Sequence, residues 1–471
     1  MATRTTTAYE RHLPSPAAVD HALAGSAETV YWLEDAGSEV TYPQLTRSGS
    51  AEFTIVGGGY LGLWTAVLAK IRNPGLRVMV LESQTLGWAA SGRNGGFCEA
   101  TLTHGEANGV ARWPEEYDTL ARLGLENLEA MEQDVTRFAL DCHWERTGVL
   151  RVAVEEHQVD WLASHSGFLD REEVRGEVDS PLFLAGAWDK HDAALVQPVR
   201  LARELGRVAA DLGVEIFEHT HVTGITTATR GPLTVRTARG TITTERVALA
   251  TNVFPSLLRR NRLMTVPVYD FVLATEPLSP GQLEAVGWRH RQGLADLANQ
   301  FHYFRLTADN RIVYGGYDAV YHAGRKVRPE YEKRPATHRR LTSHLLSTFP
   351  QLEGIKVTHR WAGAIDTCTQ FAAFHGLAHG GRIAYAAGFT GLGVGATRFA
   401  AEVMLDRLEG LDTERTRLKM VRRRPLPFPP EPVASIGINL TRTALDRADH
   451  RAGRRGPFLR TLDAFGLGFD S

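Results

Sequence analysis

The sequence predicts an α/β protein, and three observations near its start predict it. A short apolar strand, Phe53 to Val56, runs into glycines at 57, 59 and 62. An apolar helical run follows (Leu61, Leu63, Trp64, Val67, Leu68, Ile71) and stops at the breaker Asn73-Pro74-Gly75. A second apolar strand, Arg77 to Leu81, then ends in Glu82, 20 residues beyond Gly62. Glycines at this spacing are common alone; between two such strands, with the terminal acid, they read as a Rossmann-like dinucleotide-binding unit. Gly57 permits the tight turn, Gly59 lets the backbone approach a pyrophosphate, and Gly62 lets helix and strand pack closely. The helix N-terminus at Tyr60 and Leu61 presents unpaired N–H groups to phosphates. Glu82, with Ser83 beside it, accepts hydrogen bonds from the adenosine ribose. This unit alone leaves NAD and FAD both open.

Length and composition bound the rest. At 471 residues the chain suggests two or three domains, and 43% hydrophobic content supports globular folding. A formal net charge of −1 makes no electrostatic case for nucleic acid or for an anionic membrane. Three separated cysteines (Cys98, Cys142, Cys368) form neither a disulfide framework nor a metal cluster and fit a reducing cytoplasm. His375 and His379 share helical spacing but lack a third ligand, so no metal is expected. The N-terminus has no apolar signal core. The longest uncharged stretch, Ile383 to Thr397, has 15 residues and is glycine-rich, so no membrane span is expected and the protein reads as soluble.

Along the chain, residues 1–50 look like a polar arm on the surface, with one aromatic pair at Tyr31-Trp32. The nucleotide unit occupies 51–110 and is rejoined at 196–262 and 366–418. Those returns rest on the helix opened by Pro198, the buried strand Arg246–Thr251, and the strand 382–388 with its glycine loop and a helix at 397–408. Between them, 111–195 and 263–365 form a second domain. It opens with an amphipathic helix from Pro114 to about Asp141, and alternation at 266–276 and 301–317 marks sheet strands. Arg422-Arg423-Arg424 and a proline-rich run mark a tail, 419–471. The predicted architecture is a Rossmann-like domain interleaved with a mainly antiparallel β-sheet domain.

Four further segments carry a family likeness: Gly87-Trp-Ala-Ala-Ser-Gly-Arg-Asn-Gly-Gly96, Asn299-Gln-Phe-His-Tyr-Phe-Arg-Leu-Thr307, Trp361-Ala-Gly-Ala-Ile-Asp-Thr367 and Gly388-Phe-Thr-Gly-Leu-Gly-Val-Gly395. With the glycine turn, the chain from about residue 27 onward resembles the FAD-dependent D-amino-acid oxidase/glycine oxidase superfamily. It is most similar to the γ-glutamylputrescine oxidase-like branch. The resemblance implies a glutathione-reductase-type FAD-binding domain and a substrate domain like that of amino-acid oxidases. It also implies FAD, with Ser91, Arg93 and Asn94 gripping the pyrophosphate and ribityl chain and Gly95 and Gly96 passing the isoalloxazine. Gly391, Leu392, Gly393 and Val394 open a helix whose N–H groups would face the flavin N1–C2 carbonyl, where negative charge develops on reduction. Val222 matches the adenine contact, and Thr251 ends the strand that returns to the cofactor. Some relatives place a tethering histidine immediately after the tryptophan, where this chain has Ala89. Cys98 and His104 fall on no tethering position, so FAD is expected to be non-covalent.

The resemblance further implies oxidation of a C–N bond in a small amine or amino-acid-like substrate. Hydride goes to flavin N5, the imine is hydrolysed, and O2 reoxidises the flavin to give H2O2. A same-fold dehydrogenase passing electrons to a quinone or carrier protein is the alternative, and a non-catalytic flavin-binding protein a third reading. His302 is the candidate base and Arg305 the candidate carboxylate partner. Tyr269, Asp270, Tyr303 and Tyr317 are candidate lining residues, Asp270 suiting a cationic amine, and Trp361 is expected beside the flavin. Many amino-acid oxidases follow the Trp-x-Gly segment with a proline-rich stretch. This chain has Thr367-Cys-Thr-Gln-Phe371 instead, which argues against a simple α-amino acid. Substrate, acceptor and oligomeric state stay open.

Overall fold

Two sheets organise the chain in the computed structural model, which describes residues 5–37, 40–227 and 231–468. In the first, Gly49–Val56 lies between Val78–Leu81 and Thr241–Leu249, parallel to both. Ile383–Ala387 extends it in parallel beyond Thr241–Leu249, and Glu215–Phe217 beyond Val78–Leu81. Parallel neighbours need crossover connections, and the helix Tyr60–Arg72 supplies the first. Alternation along the strands splits the core. Ile55, Val80 and Ala248 pack with the helices Tyr60–Arg72, Pro198–Asp211 and Gly393–Glu409. Met79, Leu81, Val247 and Leu249 pack instead with Leu233 and Val235 of an antiparallel hairpin.

The glycine turn is built by close approach. A Cβ on Gly62 would fall 1.9 Å from the Gly57 carbonyl oxygen, and one on Gly57 (φ +111°) 2.4 Å from that of Ala250. Neither position accepts a side chain.

The second sheet has nine strands and is mainly antiparallel, as the sequence predicts. Val266–Thr275 pairs with Val357–Thr367 on one edge and with Ile312–Gly316 on the other, followed by His302–Leu306 and Gly293–Asp296. The helix Pro335–Thr348 covers one face. The two sheets draw strands alternately from the chain, which therefore crosses between them repeatedly.

Two expectations change here. Residues 5–37 are not a surface arm. They form the helices Ala8–Arg11, Pro16–Leu23 and Tyr31–Asp35, with Tyr9, Val19, Tyr31 and Trp32 buried. Trp32 Nε1 donates to the Asn94 carbonyl, and Gln197 Nε2 donates to the Trp32 carbonyl. Helices this short show no period, so only the Tyr31-Trp32 pair signalled burial. The later helix starts at Gly393 rather than Thr397. Gly395 sits inside it because a Cβ there would lie 2.4 Å from the Glu99 carbonyl oxygen. Among the described residues, no helix is long and apolar enough to cross a membrane.

Candidate active site

A cavity of about 2000 Å³ is walled by residues of both sheets. That is well above the roughly 300–1,000 Å³ of an ordinary small-molecule site and leaves room for a dinucleotide and a substrate together.

One end is the glycine turn, with Gly57, Gly59, Tyr60, Leu61, Glu82, Ser83, Val222 and Thr251 in the wall. Gly62 is a packing residue and does not reach it. The Tyr60 amide donates to Ser91 Oγ at 3.0 Å, joining the helix start to the following loop. Buried Glu82 is held by four donors. Its Oε2 accepts from the Gly58 amide (2.6 Å), and its Oε1 from Ser83 Oγ (3.0 Å), the Gln84 amide (2.8 Å) and Trp88 Nε1 (3.0 Å). A carboxylate fixed at a strand end beside an open helix N-terminus is the donor and acceptor set that an adenosine diphosphate needs.

The loop Ser91–Gly96 comes next. Arg93 lines the cavity while its guanidinium donates to the carbonyls of Trp88 (3.0 Å) and Ala362 (3.1 Å) and to Glu332 (2.5 Å). Asn94 holds the turn, accepting from the Gly96 amide and donating to the Ala90 and Ser91 carbonyls. Gly95 is in the wall, and a Cβ there would meet the Tyr303 ring at 2.5 Å. Gly96 is not; its free side faces the Val196 carbonyl and Arg305. Further round stand Gly391, Leu392, Gly393 and Val394 at the start of the Gly393–Glu409 helix.

Strand alternation sorts the substrate-side candidates. On His302–Leu306, residues 302, 304 and 306 face the covering helix, and Tyr303 faces the cavity. His302 therefore does not fit the role of base. It is fully buried, with Nδ1 2.6 Å from Asp296 and Nε2 2.8 Å from His344 Nδ1, and it stacks on Tyr317. Arg305 shares the face of Tyr303 but lies beneath the loop, outside the cavity wall. It donates to the carbonyls of Val196 (2.7 Å), Leu306 (3.2 Å) and Gly96 (3.3 Å). Burial pushes its pKa down to about 10. It braces the loop and does not fit a substrate carboxylate partner. Trp361 also misses the wall; it packs with Trp32, Val199 and Val272, and its Nε1 donates to the Arg93 carbonyl. Tyr269 touches the cavity, though its hydroxyl is engaged by the Arg328 backbone.

Asp270 and Tyr303 remain as a pair in the wall, the phenol donating to the carboxylate. Burial raises the Asp270 carboxyl to about 6, against the lowering effect of the Tyr303 hydroxyl and the Phe271 and Gly316 backbone. Three further wall residues had no substrate-side role in the sequence reading. Asp366 accepts from the Gly388 amide at 2.6 Å, and burial lifts it to about 7. His104 (φ +59°) lies against Gly391, and burial lowers it to about 4. Arg442 comes from the tail. Asp366 sat inside a quoted family segment, His104 was weighed only as a flavin tether, and Arg442 carried no local signal.

Comparison with known proteins now assigns the class. The chain belongs to the FAD dependent oxidoreductase family, whose profile matches residues 52–407. FAD is its cofactor, held non-covalently as is typical of the family, and the protein is an oxidoreductase of the amine and amino-acid oxidase type. The gamma-glutamylputrescine oxidoreductase of Escherichia coli is 31% identical over 408 residues, 82% of this chain and 89% of that protein. A probable oxidoreductase, OrdL, of Haemophilus influenzae is 28% identical over 405 residues, 81% of this chain and 88% of that protein. Glycine oxidase from Geobacillus kaustophilus shares the fold with a TM-score of 0.65 and 19% identity, over 79% of this chain and 96% of that one.

Proposed function

We propose that the protein oxidises the C–N bond of a small amine or amino-acid-like substrate bound at Asp270 and Tyr303. The observation that carries this is the hydrogen-bonded carboxylate–phenol pair in the cavity wall, packed against Gly95 of the loop expected to pass the flavin. FAD, when bound, would supply the hydride acceptor for the carbon bearing nitrogen, with O2 as the terminal oxidant and H2O2 as its product. Asp270 attracts the ammonium and, with its carboxyl raised to about 6, takes one of its protons, so that the nitrogen lone pair assists hydride departure. Tyr303 orients that carboxylate. Gly57–Leu61, Glu82 and Ser83 hold the adenosine diphosphate; Ser91, Arg93, Asn94, Gly95 and Gly391–Val394 hold the flavin half. Gly96 acts from outside the wall by keeping the loop against Arg305. The three buried, unpaired cysteines fit a cytoplasmic enzyme.

Anaerobic mixing with amines, N-methyl amino acids and polyamine conjugates, γ-glutamylputrescine among them, tests the reading through loss of FAD absorbance. At least one class should bleach the flavin. Asp270→Asn should slow bleaching by about 10²-fold or more. In the parent, kcat/KM should rise with pH through about 6 and then flatten, because only the ionised carboxylate takes the proton. No bleaching by any amine, or an unaffected Asp270→Asn variant, sinks the proposal. Peroxide yield under air separates oxidase from dehydrogenase.

A further inference from the structure

The helix Val433–Asp449 lies outside the residues matched by the family, yet it walls the cavity. Ala434, Gly437, Ile438, Thr441, Arg442 and Leu445 form one helical stripe, and all six are in the wall. Both ends of the helix are latched. Glu431 accepts from the Tyr321 hydroxyl, the Gly324 amide (3.1 Å) and Ser435 Oγ (2.5 Å). Asp449 accepts from the Asn299 amide (2.9 Å), Asn299 Nδ2 (2.7 Å) and the Gln300 amide (3.1 Å). Asn299 and Gln300 lead into the strand of Tyr303 and are themselves in the wall. The helix is thus held in register with the Asp270–Tyr303 pair.

Arg442 is the charge this helix brings to the cavity. The nearest carboxylate among the described residues, Asp318, is 3.8 Å from its Nη1. Asp318 already accepts from Thr337 Oγ1 (2.6 Å) and from Arg340 (3.1 and 3.2 Å). The other arginines of the wall are differently employed. Arg93 spans three acceptors, Arg151 sits by Glu99 and Asp192, and Arg262 donates to the Ser256 carbonyl on the segment after Thr251. Arg442 brings a loosely held guanidinium beside Asp318, two residues beyond Gly316, whose backbone meets the Asp270 carboxylate.

We infer that Arg442 is the substrate-carboxylate site, so that the substrate is an amine that also carries a carboxylate, its amino end at Asp270 and its carboxylate on Arg442. A guanidinium fork accepts both carboxylate oxygens in one plane, which a lysine does not reproduce. The inference rests on the amine-oxidising reading but is testable apart from it.

Holoenzyme and its Arg442→Gln and Arg442→Lys variants are titrated with butanoate and with butanamide, following the perturbation of the oxidised FAD spectrum. They are then mixed anaerobically with an ω-amino acid and with its amide. Arg442→Gln should weaken butanoate and raise the apparent Kd of the amino acid about 10- to 100-fold. Binding of both amide ligands should stay unchanged, and Arg442→Lys should recover part of the loss. Arg442 makes no close structural bond, so unchanged melting temperatures should accompany these effects. Equal effects on acid and amide, or none on either, overturn the inference while the amine reading stands. Butanoate binding that depends on Arg442, with no reduction by any amine, sinks the amine reading and leaves the carboxylate site.

Discussion

Glu82 shows how one residue serves structure and ligand together. Its carboxylate gathers the Gly58 and Gln84 amides, Ser83 and the Trp88 indole, so its orientation is set before any ribose arrives. Glu82→Ala removes the ribose acceptor and leaves the buried Gly58 amide unpaired, at a cost of about 1–3 kcal/mol. FAD affinity, measured by titrating the apoprotein, should fall by at least about tenfold; unchanged affinity would count against the ribose assignment. Arg305 makes the opposite case. Arg305→Lys loses the fork that spans the Val196 and Gly96 carbonyls, so it should lower Tm and loosen FAD. It should not discriminate a carboxylated substrate from its amide, and a selective rise in KM for the acid would restore the original expectation. At this scale the sequence was legible wherever a residue's chemistry and its local motif agreed, as at Gly57, Gly59 and Glu82. On the strand 302–306 the residue types were suggestive, but nothing local told which face met the cavity. His302 went to the helix His344 occupies, 42 residues away in sequence, and that contact decides its environment.

Elements fail to announce themselves for a related reason. The strands Val78–Leu81 and Ile383–Ala387 of the first sheet were readable because they are buried on both faces and run apolar. The N-terminal helices were not. Tyr31–Asp35 has five residues, too few for a period, and owes its burial to partners at Asn94, Gln197 and Trp361. Trp32 is 1% exposed and ties this helix to the loop bearing Arg93 and Asn94. Trp32→Ala should destabilise the protein by about 3–5 kcal/mol and reduce FAD occupancy of the purified enzyme. Thermal melts and the ratio of flavin to protein absorbance measure the two effects. A stable, fully loaded variant would return residues 5–37 to the status of an arm. The helix Val433–Asp449 was hidden differently: its sequence shows a proline-rich entry and scattered arginines, while its inner stripe has meaning only once a cavity lies beneath it.

At the scale of the molecule, the cavity is the common boundary of everything the chain builds. The glycine turn and Glu82 wall it from the first sheet, Asp270 and Tyr303 from the second, and Arg442 from the C-terminal helix. A cofactor lying along it contacts elements that are otherwise joined mainly by crossing segments, so binding and folding are linked. Ligand that binds only the folded state adds about 1.4 kcal/mol for each tenfold rise in its free concentration above Kd. The Tm of the protein should therefore climb with added FAD well past saturation. The variants should separate on that plot. Glu82→Ala should shift the rise to higher FAD concentration while the apoprotein loses only the cost of its unpaired Gly58 amide. Trp32→Ala should lower the whole curve, apo and holo alike, because the contact it removes exists without cofactor. Arg442→Gln should leave the curve in place, since Arg442 braces neither the loop nor the glycine turn. A Tm indifferent to FAD in the parent protein would mean that the cofactor does not bind across both sheets, and the assignment of the cavity to an extended FAD would fall with it.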